Sequence, residues 1–154
     1  MDSKDYEILS NMMKFKTNNL QILAENVNIS KSSVQKRIKK MEEEDIIKGF
    51  IPELNEEKLP EIITAISMIK AHYQPGYADT IGNKLSKIAG VCSVYYILGE
   101  YDFVVLIKAT GRKDLECIIN AISSISHVER SNTITVLTTK LEDLTAFYRL
   151  NDKS

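Results

Sequence analysis

Residues 20–41, Leu20-Gln-Ile-Leu-Ala-Glu-Asn-Val-Asn-Ile-Ser-Lys-Ser-Ser-Val-Gln-Lys-Arg-Ile-Lys-Lys-Met41, read as two short helices joined by a tight turn. Leu20, Leu23 and Ala24 share one face of the first helix. Ala24 stands where the second helix crosses closely, and a larger side chain would hold the two apart. Asn28 falls in the turn, where positive φ is needed and Asn tolerates it. Ile29 packs beneath the turn, and Ser30 is suited to cap the next helix. In that helix Val34, Ile38 and Met41 recur at i, i+4 and i+7 and form a buried stripe. Ser32, Ser33, Lys36, Lys39 and Lys40 then face outward. Between Lys31 and Lys40 there are basic residues and no acidic one. This is the helix-turn-helix pattern with a cationic second helix, and it makes double-stranded DNA the expected partner.

The residues expected at DNA are Ser30, Lys31, Ser32, Ser33, Gln35, Lys36, Arg37, Lys39 and Lys40. Lys36 and Lys40 suit phosphates, while Ser32, Ser33 and Gln35, near the helix start, suit base edges. Net charge over the 154 residues is −1, so overall charge gives nucleic acid no support. The reason is local: Glu42, Glu43, Glu44 and Asp45 follow the basic helix at once. Such a run repels DNA from the far end and leaves the N-terminal half to enter a groove.

Working outward, a first helix is expected from an N-cap at Ser3 to about Lys14, with Tyr6, Leu9 and Met13 buried. Three helices make a DNA-binding domain over residues 1–46. Residues 47–60, with Gly49 and Pro52, read as an extended arm and linker. From 61 to 154 the texture changes. Strands are expected at Ile62–Tyr73, Val91–Leu98, Phe103–Ala109 and Val128–Lys140. Between them, Ile81, Leu85 and Ile88 mark a helix stopped by Gly90, and Leu115, Ile118, Ile119 and Ile122 mark another. The order βαββαβ predicts a ferredoxin-like sheet with helices on one face, so the fold class is α+β. Phe103, Val105 and Ile107 alternate with the equally apolar Val104 and Leu106. Helices cover one face only, so the other is expected to be buried by a second copy of the chain.

Other classes find little support. Cys92 and Cys117 lack a CxxC pattern and read as structural thiols in a reduced interior. His72 and His127 lack metal-ligand spacing, so no metal and no cofactor are expected. There is no nucleophile–base constellation and no phosphate-cradling glycine loop, so no catalytic residues are assigned. The polar N-terminus has no signal-peptide core and no apolar run reaches membrane-spanning length. A cytoplasmic protein without a membrane partner is expected.

With Asp5 through Ile8-Leu9, Leu23-Ala24 through Ile29-Ser30, Val34 with Arg37-Ile38, Ile46-Ile47-Lys48-Gly49-Phe50, Leu98-Gly99-Glu100-Tyr101-Asp102-Phe103 and the Thr133–Thr139 strand, the chain resembles the Lrp/AsnC family of transcriptional regulators over nearly its whole length. It departs from the family pattern at Phe15-Lys16-Thr17 and at Asn28, where Gly is usual. The resemblance implies a C-terminal regulatory domain that dimerises and often assembles into larger oligomers of dimers. It also implies, for some members, a free amino acid bound between dimers. Carried over by position, the effector residues are Leu98, Gly99, Tyr101, Asp102, Thr133 and Thr135. Asp102 suits an ammonium group, and Thr133, Thr135 and the Gly99 N–H suit a carboxylate. The alternative is a sensing or interaction module without specific DNA binding.

Overall fold

The computed structural model describes residues 1–143 and 145–146. They fall into two compact units: residues 1–53 with the described residues from Leu141 on, and residues 54–140.

The first unit holds α1 (Ser3–Phe15), α2 (Leu20–Val27) and α3 (Lys31–Glu43). Its core is Ile8, Leu9 and Met12 from α1, Leu23, Ala24 and Val27 from α2, Val34, Ile38 and Met41 from α3, and Ile47 beyond them. The expected stripe of α3 is the observed one. Asn28 has φ of 58° and ends α2 in the left-handed region, its N–H donating to Ala24 O. The Ser30 hydroxyl accepts from Ser33 N at 3.2 Å and caps α3.

Helix α1 corrects the expectation twice. Its N-cap is Asp2, not Ser3, and its buried face is Asp5, Ile8, Leu9 and Met12. Tyr6 is exposed and Met13 only half-buried. The reason is Asp5, a charged residue on the inner face. It interrupts the apolar stripe, so hydrophobicity alone sets the helix phase one step off. Residues 48–55 adopt neither helix nor strand, and a short 3-10 turn follows at Glu56–Lys58.

The second unit runs β1 (Ile63–Ala71), α4 (Tyr77–Leu85), β2 (Val91–Tyr96), β3 (Phe103–Ala109), α5 (Arg112–Ser123) and β4 (Val128–Thr135). The sheet order is β2-β3-β1-β4, with every pair antiparallel. This is the ferredoxin-like arrangement. Helices α4 and α5 cover one face, where Ala65, Ile69, Phe103, Val105 and Ile107 meet Ile81, Leu85, Ile118 and Ile122. Gly90 makes the helix-to-strand corner possible. A Cβ there would lie 2.5 Å from Ile118 Cδ1 and 2.9 Å from Lys108 O, at φ of +89°.

Several ends differ from expectation. β4 stops at Thr135 rather than Lys140, because its partner β1 begins at Ile63 and the last cross-strand bond is Val136 N to Thr64 O. β1 and β2 are shorter than expected, and α4 ends at Leu85 with Ile88 in the following turn. Ile119 is half-buried at the margin of the α5 stripe. Cys92 and Cys117 are exposed, not interior. Cys92 sits at the irregularity of edge strand β2, and Cys117 lies off the Leu115–Ile118–Ile122 stripe.

The face opposite the helices carries two cross-strand rows. Ile134, Ile66 and Leu106 form one, and Asn132, Met68, Val104 and Tyr95 the other. Ile66, Tyr95 and Ile134 are 37–55% exposed, and Met68, Val104 and Leu106 are half-buried. Lys70 beside Arg130 bounds the patch at one end, and Thr64 beside Lys108 at the other. Lys108 also pairs with Glu56 of the 3-10 turn.

Candidate nucleic-acid interface and effector site

Helix α3 presents Lys31, Ser32, Ser33, Gln35, Lys36, Lys39 and Lys40 to solvent. At its start the hydroxyls of Ser30, Ser32 and Ser33 cluster, with Ser30 Oγ 3.1 Å from Ser32 Oγ and 2.7 Å from Ser33 Oγ. The helix N-terminus adds a partial positive charge there, which suits an anion. Beside it lies an open groove of about 470 Å³ between α2 and α3, lined by Gln21, Glu25, Asn28, Ser30 and Lys31 among others. Lys39 and Lys40 each face a carboxylate one turn on, Glu43 and Glu44, both at 3.7 Å.

Arg37 is placed differently from its neighbours. It is half-buried, and its Nη1 lies 2.7 Å from both Asp2 Oδ2 and Asp5 Oδ1. The two carboxylates also cap α1 reciprocally: Asp5 N donates to Asp2 Oδ1 at 3.0 Å, and Asp2 N to Asp5 Oδ2 at 2.8 Å. The Arg37 bond, then the Asp5 N–H, holds the Asp2 carboxyl below its ordinary value. The Asp2 N–H, then Arg37, does the same for Asp5. Their bonds in turn push Arg37 up. Arg37 thus ties α3 to the start of the chain. The capping role of Asp2 and Asp5 and their hold on Arg37 escaped the sequence reading, although their three-residue spacing ahead of an apolar run is a capping signal.

In the second unit the turn between β2 and β3 closes on Asp102. Its Oδ2 accepts from Ala71 N at 2.9 Å and its Oδ1 from Tyr77 O–H at 3.0 Å. Lys70 Nζ lies 3.3 Å from Oδ2. Burial pushes this carboxyl up, but the Ala71 N–H, Tyr77 and Lys70 outweigh burial and leave it below its ordinary value. The Tyr77 hydroxyl also meets Tyr96 Oη at 3.0 Å. The Tyr96 bond, burial and Asp102 together push its pKa up. Leu98 and Gly99 are exposed at the tip of the turn. The Arg130 guanidinium stands 5.4 Å from the Tyr101 ring centre and binds Glu100 at 2.8 Å.

The two groups of expected effector residues do not converge within one chain. Arg130, beside the turn, pairs with Lys70, whereas Thr135 pairs with Ala65. Five residues of strand separate them, about 17 Å at ~3.4 Å per residue. Thr133 Oγ1 donates to Ser67 Oγ at 3.0 Å, a serine buried on the helix-covered face. Thr135 is exposed. Lys70, Tyr77, Tyr96 and Arg130 complete the surroundings of the turn, and the sequence reading did not single them out.

Among the described residues no helix is long and apolar enough to cross a membrane, and no group of three or more His, Cys, Asp or Glu is placed to hold a metal.

A helix-turn-helix with a cationic outer helix, followed in the same chain by a ferredoxin-like unit, defines a two-part DNA-binding regulator. Comparison with known proteins agrees. Residues 1–48 match the winged helix-turn-helix DNA-binding family and residues 64–145 the Lrp/AsnC ligand binding domain. An uncharacterised HTH-type transcriptional regulator of Pyrococcus abyssi is 34% identical over 143 residues, covering 93% of this chain and 96% of its own. The HTH-type transcriptional regulator LysM of Saccharolobus solfataricus is 31% identical, covering 90% of this chain and 95% of its own. The fold also matches that of AsnC from E. coli, with a TM-score of 0.74, 22% identity and coverage of 92% and 95%. A Neisseria meningitidis transcriptional regulator solved as an L-Met complex gives a TM-score of 0.78 at 19% identity, covering 94% of each chain. The chain belongs to the Lrp/AsnC family of DNA-binding transcriptional regulators.

The placement of Arg37 predicts an outcome that separates it from Lys36. Lys36→Ala will weaken binding to all duplexes alike and lower the salt slope by about one. Arg37→Ala will weaken binding with the salt slope unchanged, because it releases the helix rather than a phosphate contact. Asp5→Asn will weaken binding too. If Arg37→Ala lowers the slope and Asp5→Asn tightens binding, Arg37 is itself a phosphate ligand. Anisotropy titrations over a salt series decide it. The clamp is also acid-sensitive: with both carboxyls depressed, its stabilisation is full above the ordinary value of 3.8 and is lost as pH falls through the lowered ones.

Proposed function

We propose that the chain acts as a homodimer, assembling further into oligomers of dimers, that sets two α3 helices into successive major grooves of double-stranded DNA. The carrying observation is the two-row apolar patch on the sheet face opposite the helices, rimmed by Lys70, Arg130 and Lys108. An apolar centre with a polar rim is the anatomy of a protein interface. A two-fold dimer then presents paired half-sites roughly 34–36 Å apart. Residues 1–46 serve as the reading head, 47–60 as the arm, and 61–154 as the dimerising and effector domain. Lys31 and Lys36 meet phosphates, joined by Lys39 and Lys40 only where these leave Glu43 and Glu44. Ser32, Ser33 and Gln35 lie nearest base edges, and Ser30 and Arg37 hold the helix in place.

A free amino acid, bound between dimers, is the proposed effector. Support comes from the match to a ligand-binding domain and from the L-Met complex of the Neisseria regulator. The separation of Thr135 from the 98–102 turn adds to it, since a ligand touching both must lie between copies. In this reading the protein works in the cytoplasm and has no catalytic step, cofactor or metal.

Selection of bound duplexes from a random pool, with and without each of the twenty amino acids, tests the proposal. A paired-half-site consensus whose occupancy changes with one amino acid is the expected result. No enrichment of any sequence would make the chain an interaction module. A consensus indifferent to every amino acid would make it a ligand-independent regulator.

A further inference from the structure

The C-terminal end of α3 breaks two local rules. A helix ends with a partial negative charge, which favours cations, yet Glu42, Glu43, Glu44 and Asp45 gather there. Paired charges one turn apart stabilise a helix better with Glu preceding Lys, yet here Lys39 precedes Glu43 and Lys40 precedes Glu44. Both pairs are exposed at 3.7 Å, so they add little to folding. Conflicts of this kind, without a gain in stability, mark places under functional constraint.

The pairs change what the helix offers a phosphate backbone. Arg37 is taken by Asp2 and Asp5. Lys39 and Lys40 each face a carboxylate. Among the described residues, Lys31 and Lys36 have no acidic partner. Free positive charge is thereby confined to the N-terminal half of α3, beside Ser32, Ser33 and Gln35. Sequence-blind DNA binding is set largely by the number of cations that displace counterions from phosphates.

We infer that Glu43 and Glu44 are specificity-determining residues that restrain non-specific DNA binding. By holding Lys39 and Lys40 they remove two cations from the phosphate-binding set, and a lysine must leave its carboxylate before it can meet DNA. Discrimination then rests on the base-reading end of the helix. The inference depends on α3 being the DNA-facing helix, as proposed above.

The test uses the full chain with Glu43→Gln and Glu44→Gln together. A charge-matched control carries Glu42→Gln and Asp45→Asn, and Lys36→Ala reports on the docking itself. Each binds a random-sequence duplex and a selected operator from 50 to 200 mM salt. The Glu43/Glu44 variant is expected to bind random duplex about tenfold tighter at the low end, with a salt slope steeper by about 1–2. Its operator affinity rises less, so discrimination falls. The control gains affinity through net charge alone and keeps the wild-type slope. If both double variants shift affinity and slope equally, the ion pairs are irrelevant and the inference fails, while a lowered slope in Lys36→Ala keeps the docking intact. If Lys36→Ala leaves the slope unchanged as well, the docking of α3 is wrong and the inference falls with it.

Discussion

Leu106→Asp is expected to leave the protein monomeric at concentrations where the proposed wild-type dimer forms, and to remove most of its operator affinity. Leu106 is half-buried on the patch opposite the helices, level with Ile66 and next to Val104 and its partner Met68. In a single chain its side chain points away from the core, so the fold tolerates an aspartate there and the circular dichroism spectrum will match the wild type. In a two-fold interface each substitution occurs twice. An unpaired carboxylate buried against a partner costs on the order of 3–5 kcal/mol, so two cost roughly 6–10 kcal/mol. At about 1.4 kcal/mol per tenfold, the dimer constant moves by several powers of ten. Losing the second reading head removes the avidity gain of roughly 10²–10⁴. Sedimentation velocity and an operator titration measure both effects. A Leu106→Asp protein that remains dimeric would place the interface elsewhere.

That patch was visible in the sequence because β3 is apolar at both parities, which a sheet covered on one face does not need. The helix-turn-helix was visible because Asn28, Ser30 and the Val34–Ile38–Met41 stripe each have one local reading, and all three agree. What escaped depends on partners distant in the chain. Arg37 reads as one more cation of a basic helix until Asp5, 32 residues earlier, is found 2.7 Å away. The same aspartate concealed the phase of α1. Strand ends escaped for a similar reason: β4 is apolar and β-branched beyond Thr135 but has no strand left to pair with. At the turn, motif and chemistry pointed to Asp102 as a carboxylate for an ammonium group, yet neither revealed that its oxygens are turned to Ala71 and Tyr77. Thr133 was read as a hydroxyl suited to an effector carboxylate, and within the chain it donates to Ser67. Both are matters of side-chain direction, which a pattern of residue types does not carry.

The engagement of Asp102 gives the other large expected effect. Its side chain is 14% exposed, and it accepts the N–H of Ala71, a residue 5% exposed at which the β1–β4 register slips. That N–H finds its acceptor in the carboxylate. Asp102→Ala leaves the Ala71 N–H without its acceptor, deprives the Tyr77 hydroxyl of one of its bonds, and removes the counter-charge of Lys70. At about 1–3 kcal/mol for each buried polar group left unsatisfied, a loss of roughly 2–4 kcal/mol is expected in the second unit. Asp102→Asn keeps one acceptor oxygen and will lose less. The pH dependence has a definite sign. The folded carboxyl lies below its ordinary value of 3.8, so its stabilisation is complete above that pH and disappears as pH falls through the depressed value. The gap in melting temperature between wild type and Asp102→Ala will therefore be constant near neutrality and close in acid. The consequence for an effector follows from the same occupancy. A ligand ammonium would have to displace Tyr77 or Lys70 from Asp102, whereas at Glu100 it would compete only with the exposed ion pair to Arg130. Loss of an amino-acid response in Asp102→Ala, accompanied by a lowered melting temperature and restored in part by Asn, would mean that Asp102 shapes the turn. Loss of the response at an unchanged melting temperature would make the carboxylate a direct ligand. Calorimetry and thermal melts on the three proteins separate the two.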